Sequence, residues 1–228
     1  MRFRRLPTLI GLLAGISGMV GIAAAQGGYK LVAGKATPPA AIKAGLKPLI
    51  SDAAFTLTNA EGKLVARIWP AKAIAAGKVP ITQGPGTVAD QLTQGAFMGV
   101  IELAVNATDA KEQPVKAGVY AMRYLTQPDD GNHLGTTDFS DFAVLFSMKV
   151  DPGAPVAGRQ ALIDAAFNSI GHPRVFPLHP AKATQATPGL GRDANGHLVA
   201  YLTLTAKTKT GKTAAFKVGL LPGLLRVK

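Results

Sequence analysis

Apolar and polar side chains trade places at every second position over much of this chain, and that period confines the backbone to strands with one buried face. Residues 55–58 and 64–69 flank Asn59-Ala-Glu-Gly62, whose residue types suit a tight turn, so the three pieces read as a hairpin. Phe55 and Leu57 face one way, and Leu64, Ala66 and Ile68 do the same on the partner. The pattern recurs at 96–105 (Phe97, Ile101, Leu103, Val105), 118–125 (Tyr120, Met122, Tyr124) and 139–150 (Phe142, Val144, Phe146, Met148). It returns at 197–206 (Leu198, Ala200, Leu202, Leu204), turns through Thr210-Gly211-Lys212, and ends at 214–221 (Phe216, Val218, Leu220). Helical spacing is limited to 159–170, where Ala161, Leu162, Ala165, Ala166 and Ile170 recur before Gly171 and Pro173, and to a short stretch near 40–50. Residues 71–94 and 171–188, rich in Gly and Pro, read as loop, so a βαβ layout lacks its helices. The pattern predicts a mainly β fold, an antiparallel β-sandwich with one or two short helices, as a single domain over 51–228.

Ahead of that domain, residues 26–50 read as an exposed lead-in that has room for one edge strand at the apolar piece Tyr29 to Val32, and residues 1–25 as a secretory signal peptide. Arg2, Arg4 and Arg5 precede an apolar stretch from Leu9 to Ile22, and Ala23, Ala24 and Ala25 supply the small residues a signal peptidase needs. That stretch is shorter than the roughly 20 residues that span a bilayer, so cleavage near Ala25–Gln26 is expected, with no transmembrane segment left afterwards. The protein is then exported, to the periplasm or beyond the cell. It has no cysteine, which removes disulfides, thiolate nucleophiles and zinc–thiolate sites and leaves folding to the hydrophobic core. The formal charge is +12 and falls by three when the leader's arginines are lost. Such a surface suits an acidic glycan, another cell-envelope component or a partner protein. Export argues against nucleic acid.

The densest polar run is 127–138, Gln-Pro-Asp-Asp-Gly-Asn-His-Leu-Gly-Thr-Thr-Asp, between two expected strands. Asp129, Asp130, Asn132, His133 and Asp138 can gather on one rim there as a binding loop, or cap their own backbone as an ordinary connection. The segment Gly118-Val-Tyr120, Arg123-Tyr124, Gln127-Pro128, Asp130-Gly131, His133, Gly135 and Asp141-Phe142 resembles the best-marked segment of a family of exported bacterial proteins, with the pattern G-x-Y-x-x-R-Y-x-x-Q-P-x-D-G-x-H-x-G. The resemblance implies kinship with exported proteins, and it groups Arg123, Asp130 and His133 as residues to test together. An Arg on a strand beside an Asp/His loop is equally a structural ion pair that ties the loop to the sheet.

The histidines are His133, His172, His179 and His197, with no H-x-H, H-x-x-x-H or HExxH spacing. A divalent metal bound by these four and nearby carboxylates is the first alternative function, a metal-binding periplasmic protein; no other cofactor is expected. His172 and His179 each precede Pro and are expected in extended loop. No G-x-S-x-G elbow is present. Glu102 with Asp129 or Asp138 supports a second alternative, a glycan-acting hydrolase using loop carboxylates. Thr210-Gly211-Lys212-Thr213 resembles the end of a phosphate loop, but its first glycine is replaced by Ala206 and its context is a hairpin. Trp69 and the tyrosines read as packing more than as a sugar platform. Lys207, Lys209, Lys212 and Lys217 read as solvating charge on the last hairpin. The reading these features favour is an exported, non-catalytic, envelope-associated binding or structural module.

Overall fold

A computed structural model describes residues 23–84, 88–109, 111–127, 139–151, 153, 156 and 158–220. In chain order the strands are β1 (Ala23–Gln26), β2 (Tyr29–Lys35), β3 (Ala53–Thr58), β4 (Leu64–Pro70), β5 (Ile74–Ala76), β6 (Phe97–Leu103), β7 (Ala107–Thr108), β8 (Pro114–Val115), β9 (Gly118–Thr126) and β10 (Asp141–Ser147). Helix α1 (Arg159–Ile170) follows, then β11 (Val175–Pro180), β12 (Gly189–Arg192), β13 (Leu198–Thr208) and β14 (Thr213–Leu220). Twelve of these strands form one sheet in the order β1-β2-β3-β4-β6-β9-β10-β11-β14-β13-β12, with β5 added beside β13. Every pairing along that path is antiparallel, whereas β5 and β13 run parallel. The expected mainly β, antiparallel fold is what the chain adopts. The sheet curls until β12 comes back alongside β1 and β2, so it nearly closes on itself. Among the described residues no helix is long and apolar enough to cross a membrane.

Inside the curl, Ile68, Met98 and Met122 face Leu178, Leu202, Leu204, Val218 and Leu220 across a dry seam. Their alternation along each strand is the period seen in the sequence. A second core lies on the outer face of the first half of the sheet. There Trp69, Val100, Ala121, Val144 and Phe146 pack under Leu162 and Ala166 of α1 and under Ile42, Leu46 and Ile50. The strand considered at Tyr29 to Val32 is β2, paired on both sides and not at an edge, while the rest of the stretch expected to be exposed forms a lid on this core, and its helical turn is only a 3-10 turn at Lys47–Leu49. The expected cleavage point lies within β1, which pairs with β2 from Ala23↔Val32 to Gln26↔Tyr29. Because both faces of β10 are covered, Asp141 to Phe146 are all buried, and Phe-Ala-Val-Leu-Phe runs apolar without a break.

Strand β11 is a second departure from expectation, since it contains His179 and two prolines placed in loop by the sequence reading. Its halves are staggered: Val144↔Val175 to Phe142↔Pro177 join it to β10, and Leu178↔Leu220 to Pro180↔Val218 join it to β14. Each half is paired on one side, so a proline that lacks an N–H costs the ladder little. This strand carries the sheet around its corner.

Four hairpin turns among the described residues share one construction, at 59–63, 109–113, 193–197 and 208–212. The first residue (Asn59, Asp109, Asp193 or Thr208) exchanges backbone bonds across the turn, and its side-chain oxygen accepts the N–H of the fifth. The fourth residue is left-handed, with φ of 74° at Gly62, 57° at Glu112, 81° at Gly196 and 87° at Gly211. Each turn is closed by a left-handed residue, so Gly is the natural occupant of the fourth place.

Candidate functional site

Strand β9 sends Arg123 and Tyr124 to opposite faces, and each meets a buried carboxylate. Arg123, 1% exposed, grips Asp151 with Nε to Oδ2 at 2.8 Å and Nη2 to Oδ1 at 2.9 Å. Its Nη1 donates to the Gly95 carbonyl at 3.1 Å, and the rings of Phe97 and Phe146 lie about 6 Å from the guanidinium. On the inner face the Tyr124 hydroxyl donates to Asp141 Oδ1, while Asp141 Oδ2 accepts the Val88 N–H at 2.7 Å and the Ser140 hydroxyl at 3.0 Å. Burial, reinforced by the Asp141 carboxylate, pushes the Tyr124 phenol far above its ordinary value, so it stays a donor. Arg123 is thus committed to Asp151 and Gly95. The other members of the expected loop site, Asp129, Asp130, Asn132, His133 and Asp138, lie outside the described residues.

The three described histidines have separate surroundings. His172 is exposed, its ring centre 5.2 Å from that of Phe167 in an edge-to-face arrangement. His197 belongs to a hairpin turn, with Nδ1 2.9 Å from Asp193 Oδ2. His179, expected in loop, sits in β11 at 8% exposure with the Phe139 ring 4.6 Å away, and its Nε2 has no hydrogen-bond partner among the described residues. Burial lowers its pKa; Asp193 opposes that shift and His197 adds to it. No group of three or more His, Asp or Glu among the described residues is placed to hold a metal ion; His133 lies outside them. Glu102, named for the hydrolase reading, faces Arg67 across the β4–β6 pairing at 3.6 Å. Trp69 is fully buried and donates to the Ala36 carbonyl at 3.1 Å, so it offers no sugar platform.

An open concavity lies where β5 runs beside the end of β13. Pairing of Ile74 with Ala206 and Ala76 with Thr208 brings the chain leaving β5 against the 208–212 turn. The Gly77 N–H to the Gln91 carbonyl and the Thr93 N–H to the Ala75 carbonyl, both 2.8 Å, fix the other wall. The result is a groove of about 520 Å³ lined by Lys78, Lys209, Lys212, Thr93, Thr208 and Thr210 together with small residues. No described carboxylate lines it, and none of the three ammonium groups forms an ion pair with a described residue. The Thr208 and Thr210 hydroxyls bond each other at 2.9 Å, and the turn's side-chain cap holds Thr208 in place. Three ammonium groups without a described counter-charge around one concavity make a positive potential that focuses anions, and the hydroxyls add directional bonds.

Neither protein-family models nor curated proteins nor solved structures match this chain.

The groove was partly legible. Lys209 and Lys212 are among the lysines read as solvating charge, and Lys217 turns away to bond the Ala183 and Gln185 carbonyls at 2.7 Å. Lys78 and Thr93 carried no local signal. The three-residue parallel pairing brings them in from more than a hundred positions away, and no periodicity reports that.

Proposed function

We propose that the chain is an exported, envelope-associated binding module that holds an acidic glycan in the groove beside the 208–212 turn. The observation that supports it most is the set of Lys78, Lys209 and Lys212 around a concavity that no described carboxylate lines. Carboxylate or sulfate groups of an extended glycan would meet the ammonium groups, and sugar hydroxyls would meet Thr93, Thr208 and Thr210. The formal charge of +12, less the three leader arginines, adds a long-range attraction that salt screens within about 10 Å at 0.1 M. No step of bond making is part of this reading.

Calorimetric titration with polygalacturonate and with neutral dextran tests it. Binding of the acidic polymer alone is expected, weakening as salt rises. The triple change Lys78→Gln, Lys209→Gln, Lys212→Gln is expected to weaken it at least tenfold, with thermal stability unchanged because all three side chains are exposed. Equal binding of dextran, or full binding by the triple variant, refutes the proposal.

A further inference from the structure

A second cleft opens at the other end of the strands. Strands β9 and β13 run in the same sense through the alternating path β9-β10-β11-β14-β13; the groove is at the end of β13, and this cleft is at the start of β9. It measures about 340 Å³ and combines an apolar floor of Pro114, Val115 and Ile170 with Tyr120, Lys116 and Arg174. Its walls are fixed. The Tyr120 hydroxyl donates to the Lys116 carbonyl at 2.8 Å. Arg174 Nε donates to the Pro114 carbonyl at 3.0 Å and Nη1 to the Gln113 side chain, leaving Nη2 and the Lys116 ammonium without a described partner.

Three of the four large apolar side chains exposed among the described residues lie toward this end of the strands, outside the cleft lining: Val105 at 41%, Val150 at 46% and Phe167 at 50%. Phe167 is one turn before Ile170 on α1. Val150 follows Ser147, whose N–H bonds Ser169 Oγ at 2.7 Å beside Ile170. Val105 precedes Asn106, whose side chain accepts the Ala117 N–H at 2.9 Å next to Lys116. Exposed Lys149 adds a cation beside Val150; the exposed carboxylates of Glu112 and Glu61 also lie toward this end, Glu61 bridged to Lys63 at 2.7 Å. Single exposed apolar residues are ordinary, but three at the same end as a cationic cleft combine the two signals of a peripheral membrane face.

We infer that this end of the protein docks on an anionic phospholipid bilayer. A headgroup phosphate enters the cleft between Lys116 and Arg174, and Phe167, Val150 and Val105 insert at the boundary of the acyl chains. Excess positive charge at the cleft matches an anionic surface, and the apolar rim distinguishes a bilayer from a dissolved phosphate. The groove with Lys209 and Lys212 then faces away from the membrane, so the inference goes beyond the glycan reading and does not need it.

Co-sedimentation with vesicles tests it, using the protein as secreted by the producing cell. Vesicles containing phosphatidylglycerol are expected to bind it, and pure phosphatidylcholine vesicles are not. Lys116→Gln should weaken binding about fivefold. Phe167→Ser should weaken it about tenfold. The Lys78/Lys209/Lys212 triple variant should bind vesicles as the wild type does, so failure here is separable from failure of the glycan proposal. Release by inorganic phosphate with no effect of Phe167→Ser would mean a dissolved phosphate site and would overturn the bilayer. Equal binding to both vesicle types, or none to either, overturns it as well.

Discussion

Asp151→Ala is the perturbation that bears hardest on the corner beside β9. It leaves the Arg123 guanidinium, 1% exposed, facing an empty site with only the Gly95 carbonyl and two phenylalanine rings for company. Removing one partner of a buried pair costs about 3–5 kcal/mol, because the remaining charge can neither reach water nor find another counter-charge. The Gly153 N–H loses its acceptor in the same step. For a domain of this size about 2–4 °C of melting temperature accompanies each kcal/mol, so the midpoint should fall by roughly 6–20 °C. The double change Arg123→Met, Asp151→Leu removes both charges and fills the space with carbon. It should recover most of that loss, since buried pairs exchanged for apolar residues of similar volume are often neutral. Urea unfolding of wild type, Arg123→Met, Asp151→Leu and the double gives the coupling energy directly. If Asp151→Ala costs under about 1 kcal/mol, or if the two single changes simply add, the pair is not the buried lock described here.

Two further outcomes follow from the geometry. Burial holds His179 below its ordinary 6.5 in the folded state, so the unfolded chain takes up that proton first. Stability is therefore complete above about pH 6.5 and declines as the pH falls below it, until the folded state also protonates His179; melting curves of wild type and His179→Gln across that range should show a shallower decline in the variant. Glu112 occupies the left-handed fourth place of its turn at φ 57°, where the other three turns have Gly. Glu112→Gly should raise stability by up to about 1 kcal/mol, and a loss in chemical denaturation would contradict the shared turn construction.

What the sequence made legible was the part encoded by neighbours. The alternation of Leu198, Ala200, Leu202 and Leu204 marks β13, and the Asn59 and Thr210-Gly211 turns mark their hairpins, because each signal lies within a few residues. The parts it hid depend on distant partners. Arg123 finds Asp151 across 28 positions, and nothing in its own strand distinguishes that carboxylate from Asp130. Pro177 and Pro180 argue against a strand locally, and the staggered pairing that tolerates them exists only once β10 and β14 are in place. The continuous apolar run in β10 records a second covering layer, which a rule of one buried face passes over.

The charged groove is the centre of the functional account, and amide chemical-shift mapping with a short acidic oligosaccharide tests it most directly. Shifts concentrated at Lys78, Thr93, Lys209, Thr210 and Lys212 are predicted. Shifts centred on Lys116 and Arg174 instead, or none beyond those a neutral oligosaccharide produces, would contradict it.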